Sequence, residues 1–184
     1  MPFAPPFDWR DALREDRPLL QRFTCTAEPS KDRNGRPLPH PKPWEHDVQS
    51  WIRSRTPPAG PGEALRLETD EESLRAFGAL AVVDQEGEIV IVKLQAVAIS
   101  KECRGGDGEV ANGALDEALG RAVELTSHAG GTITLVVAWV DPRNDASKRL
   151  MERSGFTTRG FIPGNPPLEE WTLQVAPAGG TEAS

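Results

Sequence analysis

Residues 88 to 140 constrain this chain more than any other stretch. The run EIVIVKLQAVAIS ends in the glycine-rich ECRGGDGE, and a helical pattern follows it. Val110, Ala111, Ala114, Leu115, Ala118, Leu119, Ala122 and Val123 repeat at helical spacing, and so many alanines let a helix lie close against a sheet. HAGG stops that helix, and TITLVVAWV reads as a strand buried on both faces. Upstream, QEG separates a strand at residues 79 to 84 from the long strand at 88 to 100, the signature of an antiparallel hairpin. The glycine-rich loop therefore joins the end of a long central strand to the start of a helix.

That junction has its own chemistry. A strand running through Gly105, Gly106 and Gly108 into a helix offers free backbone N–H groups and the positive end of the helix dipole to an anion. Glycines let the backbone turn outward without a Cβ in the way. Arg104 can add a charge-assisted contact to phosphate. Asp107 and Glu109 must then point away, and Glu109 in the first turn favours the dipole. No GK[ST] follows, so this is not a Walker A loop, and the antiparallel hairpin before it excludes the dinucleotide fingerprint. By itself the stretch reads equally well as a plain turn into an amphipathic helix.

The remainder is organised around this unit. Residues 1 to 18 read as a loosely ordered arm with a short helix near Trp9 to Arg14. LLQRFTCT alternates like a strand, with Phe23 and Cys25 on one face. AEPSKDRNGRPLPHPKP is too rich in proline and turn formers for a helix or an inner strand, and reads as a stiff loop. Pro43 opens a helix whose Trp44, Val48, Trp51 and Ile52 form one apolar stripe. ALRLETDEESLRAFGALAVVD holds a short strand, a helical turn and then the strand from Ala79. NDASKRLMERSGF is a short helix with Gly155 as its left-handed cap, FTTRGF and EEWTLQVA are closing strands, and residues 177 to 184 read as a disordered tail.

At 184 residues the chain suits one mixed α/β domain, here residues 19 to 176. A net charge of −7 makes a nucleic-acid backbone an unsuitable partner. Cys25 and Cys103 form no CxxC, and with His40 and His46 they lack metal-ligand spacing, so no metal is expected. No signal peptide and no membrane-length apolar run is evident, which points to a cytoplasmic protein without a membrane partner.

A second motif stands downstream. In VDPRNDASKRLMERSGF, Asn144, Ser147, Leu150, Glu152, Arg153, Gly155 and Phe156 match the pattern N-x-x-S/A-x-x-L-Y-E-K-x-G-F. Val97-x-Ile99 precedes Arg104 at the spacing of an R/Q-x-x-G-x-G/A loop, a pattern that RGGDGE follows only loosely. Together these resemble the GNAT superfamily of acyl-CoA-dependent N-acetyltransferases over roughly residues 65 to 176. The resemblance implies a central, mostly antiparallel sheet flanked by helices, with two splayed parallel strands. It implies that acetyl-CoA is a cosubstrate, its pantetheine arm paired with Val97, Ala98 and Ile99. The pyrophosphate would rest on Arg104, Gly105, Gly106, Asp107, Gly108 and Glu109, and Asn144 and Ser147 would face the arm. Residues 19 to 64 would shape the acceptor side and residues 65 to 176 the acyl-CoA side.

The chain departs from the family at the proton-transfer groups. It contains no tyrosine, Met151 stands at the family's general acid, and Lys93 stands where a base carboxylate is common. Ser147, Glu68 and His46 are the substitute catalytic candidates, though each reads as readily as a helix-face serine, a solvated charge or an idle histidine. The implied activity is acetyl transfer to a primary amine, on a small molecule or a protein or peptide, by direct attack in a ternary complex. The alternative is a catalytically degenerate GNAT-like sensor or interaction module that binds acyl-CoA. Oligomeric state is open, a homodimer included.

Overall fold

The computed structural model describes residues 8–70, 73–105, 108–164 and 167–175. Seven strands form one sheet: β1 (Trp9–Asp11), β2 (Glu63–Thr69), β3 (Leu74–Glu86), β4 (Ile89–Ile99), β5 (Ile133–Val140), β6 (Thr157–Ile162) and β7 (Leu168–Val175). Their order is β1-β2-β3-β4-β5-β7-β6, antiparallel throughout except for the parallel pair β4 and β5. The helices are α1 (Arg17–Arg22), α2 (Pro43–Ser54), α3 (Glu109–His128) and α4 (Asp145–Arg153). This is the mixed sheet flanked by helices that the sequence implies.

The two sheet faces are covered differently. Leu115, Ala118 and Ala122 of α3, with Leu150 and Met151 of α4, bury Val90, Val92, Leu94, Val136, Ala138 and Val140. Two of the α3 residues are alanines, so that helix settles close to the sheet. On the other face α1 and α2 contribute Leu20 and Ile52, with Val48 and Trp51 against them, over Leu65, Leu67, Phe77, Ala79, Ala96 and Ala98. Truncating a buried leucine in either layer would cost about 2–5 kcal/mol. Arg66 ties β2 to α3 through Glu117 at 2.6 Å and to β1 through Asp11 at 3.0 Å.

The hairpin falls where QEG places it, with Gly87 at φ 59 in the turn. Asn144 caps α4, accepting from the Ser147 N–H at 3.2 Å, and Gly155 ends it at φ 82.

Four local expectations change. LLQRFTCT is not a strand: Pro18 starts the short helix α1, and Leu19, Leu20 and Phe23 meet the helical i, i+3, i+4 spacing as well as an alternating one. The short helix suggested near Trp9 to Arg14 is instead the edge strand β1, followed by a 3₁₀ turn at Arg14–Asp16. The helical turn before β3 is absent among the described residues, because Asp70 closes a tight turn by accepting from the Ser73 N–H at 2.7 Å, and the strand starts at Leu74 rather than Ala79. β5 buries only one face, since α1 and α2 do not reach it; Trp139 on the open face is 45% exposed. Residues 1 to 7 and the C-terminal tail lie outside the described residues, as do Glu71, Gly106 and Asp107.

Candidate functional site

The parallel strands part company. β4 and β5 pair from Ile89 with Ile133 to Leu94 with Ala138, and no further. β4 continues to Ile99 while staying paired with β3, and β5 continues to Val140 while staying paired with β7. The cause is local. Ala79 pairs with Ala96 and Leu80 with Leu94, so Gln95 is an extra residue in β4. Such a bulge bends and twists its strand, and here it turns β4 away from β5. It also exchanges faces: Val92 and Leu94 pack under α3, whereas Ala96 and Ala98 pack under α1 and α2.

A notch results, with one edge formed by residues 95 to 99 of β4 that no described strand covers. Backbone N–H and C=O groups on such an edge demand partners. An extended amide-bearing ligand would satisfy them as an added strand does. The Gln95 Oε1 is buried at the narrow end without a hydrogen-bond partner among the described residues.

At its wide end the notch opens onto the start of α3. Gly105 and Gly108 have φ 131 and 90, a left-handed region costly for any side chain. Gly108 is the N-cap of α3 and brings no side chain of its own to the cap, and a helix start directs its first N–H groups toward that turn. A Cβ on Gly108 would lie 3.4 Å from Nη2 of Arg153, and that nitrogen donates to the Asn112 Oδ1 at 3.2 Å. The Arg153 guanidinium thus stands beside the anion-ready turn, brought there by α4. The sequence motif includes Arg153 but gives it no such role; only the packing of α4 beside α3 reveals it.

Arg104 is engaged elsewhere. Its Nη1 lies 3.1 Å from the Glu45 carboxylate of α2, and its Nε donates to the Ile99 carbonyl at 3.3 Å. Burial alone would raise the Glu45 carboxyl, but the Arg104 charge and the Lys42 hydrogen bond outweigh it and hold Glu45 below the usual range. The neighbouring Trp44 packs its ring under Arg143, whose guanidinium carbon lies 5.1 Å from the ring centroid. Arg143 is held by the buried Asp141 through contacts of 2.9 and 2.7 Å. The first turn of α2 therefore spans the wide end, touching the loop after β4 and the loop after β5.

At the narrow end two side chains stand on the open face. Lys93 pairs with Val137, and Trp139 follows the last paired residue of β5. The Lys93 Nζ sits 3.1 Å from the Trp139 ring centroid. The Trp139 indole donates to Glu170 at 3.3 Å. On the opposite face Met151 is 4% exposed within the core, and its thioether carries no proton to give.

The substitute catalytic residues do not converge. Ser147 lies in the first turn of α4, where the Asn144 Nδ2 donates to its hydroxyl at 2.8 Å. Glu68 lies on β2, two strands from the notch, 2% exposed and paired with Arg75 at 2.9 Å. Burial raises the Glu68 carboxyl, and the Arg75 charge only partly offsets that. His46 stacks on His40 with centroids 5.4 Å apart, and the His40 nitrogens lie 2.8 and 2.9 Å from the Lys42 and Ala27 carbonyls. Cys25 is buried with its thiol toward the Glu45 carbonyl at 3.7 Å, and burial pushes that thiol up. Among the described residues no cluster of three His, Cys, Asp or Glu side chains could hold a metal.

The whole arrangement belongs to a known class of fold. A solved candidate acetyltransferase of the GNAT family from Desulfovibrio desulfuricans superimposes over 93% of this chain and 100% of its own, with TM-score 0.58 and 15% identity. Spermidine N-acetyltransferase SpeG from Vibrio cholerae matches over 91% and 93%, with TM-score 0.54 and 13% identity. Aminoglycoside 6'-acetyltransferase type Ii matches over 94% and 99%, with TM-score 0.55 and 11% identity. No protein-family model and no curated protein matches the sequence, so the likeness is one of shape. The chain has the fold of the GNAT acetyltransferases. Among its described residues no helix is long and apolar enough to cross a membrane.

Proposed function

We propose that this protein is an acyl-CoA-dependent N-acetyltransferase. The observation that carries the reading is the parting of β4 and β5 after Leu94 and Ala138, which leaves a bare strand edge leading from the Gly108 turn into the sheet. At roughly 3.3 Å per residue the bare edge from Gln95 to Ile99 is about 15 Å long, which suits an extended pantetheine arm. Its amides would pair with the edge of β4 through Val97 and Ile99, the residues on either side of Ala98, whose own backbone turns to β3, and with Gln95. The pyrophosphate would meet the N–H groups of Glu109 and the residues after it, with Gly105 and Gly108 permitting the approach and Arg153 adding charge. The expected roles of Gly106 and Asp107 concern residues outside the described part of the chain. Asn144 and Ser147 would flank the arm from α4.

Held this way, the thioester reaches the narrow end, beside Leu94 and Ala138. A primary amine coming from the α1 and α2 face attacks the carbonyl carbon, the C–S bond breaks and CoA leaves as a thiolate. Holding the two reactants together is worth more than a single acid or base, which contributes typically about 10² to 10⁴-fold. A thiolate is a good leaving group, so protons can pass through water without a tyrosine. The acceptor is a small amine or a protein or peptide amine. Two structural neighbours are named for spermidine and aminoglycosides, which favours a transferase over the non-catalytic sensor.

Calorimetry with CoA and acetyl-CoA, then thiol release with a panel of amines, tests this. The expected result is saturable CoA binding and amine-dependent thiol release. Binding with no turnover on any amine would replace the transferase by the sensor. Absence of CoA binding would remove both.

A further inference from the structure

Lys93 is unlike the other lysines of this chain. Lys42 pairs with Glu45 at 3.2 Å and Lys148 with Asp145 at 3.2 Å, while Lys31 and Lys101 are exposed on the surface. The Lys93 ammonium is half-buried and has no carboxylate within salt-bridge distance among the described residues. Val92 and Leu94 face α3, so by strand alternation Lys93 faces the opposite side, from which an acceptor would come. Its side chain crosses from β4 to lie over Trp139 on β5, reaching over the last paired residues before the notch opens. A thioester at the narrow end, where β4 and β5 stop pairing, would lie near the residues that Lys93 spans.

We propose that Lys93 is itself an acyl acceptor, a self-acetylation site at the narrow end of the notch. This rests on the acyl-CoA reading above. The neutral Nζ attacks the thioester carbonyl carbon; a C–N bond forms and the C–S bond breaks. CoA departs as a thiolate, and the proton released from nitrogen passes to it, directly or through water. The products are ε-N-acetyl-lysine and free CoA thiol, with no other reactant needed. Two features of the surroundings act on the amine. Burial holds Lys93 below the ordinary lysine value, while the Trp139 ring acts in the other direction, toward the charged form. The ring also fixes the direction of the side chain, which supplies the orientation an intramolecular attack requires. Acetylation would remove the charge above Trp139 and place an amide where the acceptor amine must approach, so the modified chain would be closed to its acceptor.

The experiment needs no knowledge of the natural acceptor. The full-length protein is incubated with acetyl-CoA, and the acetylated lysines are located and timed by tandem mass spectrometry, alongside calorimetry with CoA. Lys93 should acetylate at least about tenfold faster than Lys31, Lys42, Lys101 or Lys148, as attack within a bound complex predicts. Its rate should saturate with acetyl-CoA and stay independent of protein concentration. Trp139→Ala should slow Lys93 selectively, while Lys93→Arg should abolish the fast phase and still bind CoA. If CoA binds but Lys93 reacts no faster than the surface lysines, the self-acetylation proposal is overturned and the acyl-CoA reading stands. If CoA does not bind, both fall.

Discussion

Arg153→Ala separates binding at the α3 turn from the stability of the fold. The side chain is exposed, and it donates a hydrogen bond to Asn112 at 3.2 Å. Losing an exposed contact of this kind leaves stability within about 0.5 kcal/mol of the parent. A hydrogen bond between charged partners is worth about 1.5–3 kcal/mol when desolvated, and solvent at this exposed turn reduces it. A net loss of about 1–2 kcal/mol follows, or roughly 5- to 30-fold weaker CoA binding. Calorimetry measures the affinity, and thermal unfolding of the same sample checks the fold. Arg149→Ala, an exposed arginine on the same helix, serves as the control and should leave the affinity unchanged. Equal affinities for the parent and Arg153→Ala would mean that the pyrophosphate does not sit at the Gly108 turn. A large drop in stability would mean that Arg153 holds α4 to α3, and the affinity loss would then say nothing about phosphate.

Two further perturbations probe the surroundings. Glu45→Gln weakens the clasp on Arg104 and frees a cation beside the wide end of the notch. CoA should bind up to about fivefold more tightly, the range of a part-exposed ion pair, and weaker binding would mean that Glu45 positions Arg104 for the ligand. The Glu68 carboxyl is raised by burial against the partial offset of Arg75. A raised carboxyl stabilises the fold fully below its ordinary value of 4.5 and loses that contribution as pH climbs through the higher folded value. Urea unfolding of Glu68→Gln beside the parent should therefore show the variant gaining relative stability from mildly acidic pH to neutrality. Parallel curves would refute the burial argument.

The sequence carried the helices and turns whose physics is local. The alanine stripe of α3, the Asn144 cap, the Gly155 stop and the QEG hairpin each depend on residues a few positions apart. Misreadings arose where two local patterns fit the same letters, as in LLQRFTCT, or where coverage decides burial, as on β5. The Gln95 bulge was not legible, because an extra residue in β4 is defined only against the register of β3. The same holds for Arg153, whose place beside Gly108 depends on how two helices separated by a strand pack together. Glu45 was equally hidden as the partner of Arg104, since the two lie 59 residues apart in sequence.

On the proposed reading, the bulge also explains how an acidic, tyrosine-free chain could hold an acyl-CoA for transfer. A sheet whose strands stayed paired to their ends would bury the β4 edge and offer nothing to a ligand. One extra residue leaves that edge uncovered by β5, so the backbone of residues 95 to 99 would be the recognition element of the proposed site. Recognition by backbone is indifferent to side-chain charge, which is why a loop containing Glu109 can face an anion while Gly105 and Gly108 keep the approach clear. It also demands little at the reaction centre beyond correct placement of carbonyl carbon and nitrogen. On this account, restoring a tyrosine by Met151→Tyr in the buried α4 position would disturb packing before it helped chemistry. Thiol release by that variant should not rise and its unfolding midpoint should fall, whereas a gain approaching the roughly 10²- to 10⁴-fold of a single acid at an unchanged midpoint would refute the account. A variant that lost stability and gained nothing would fit equally well with protons already passing through water.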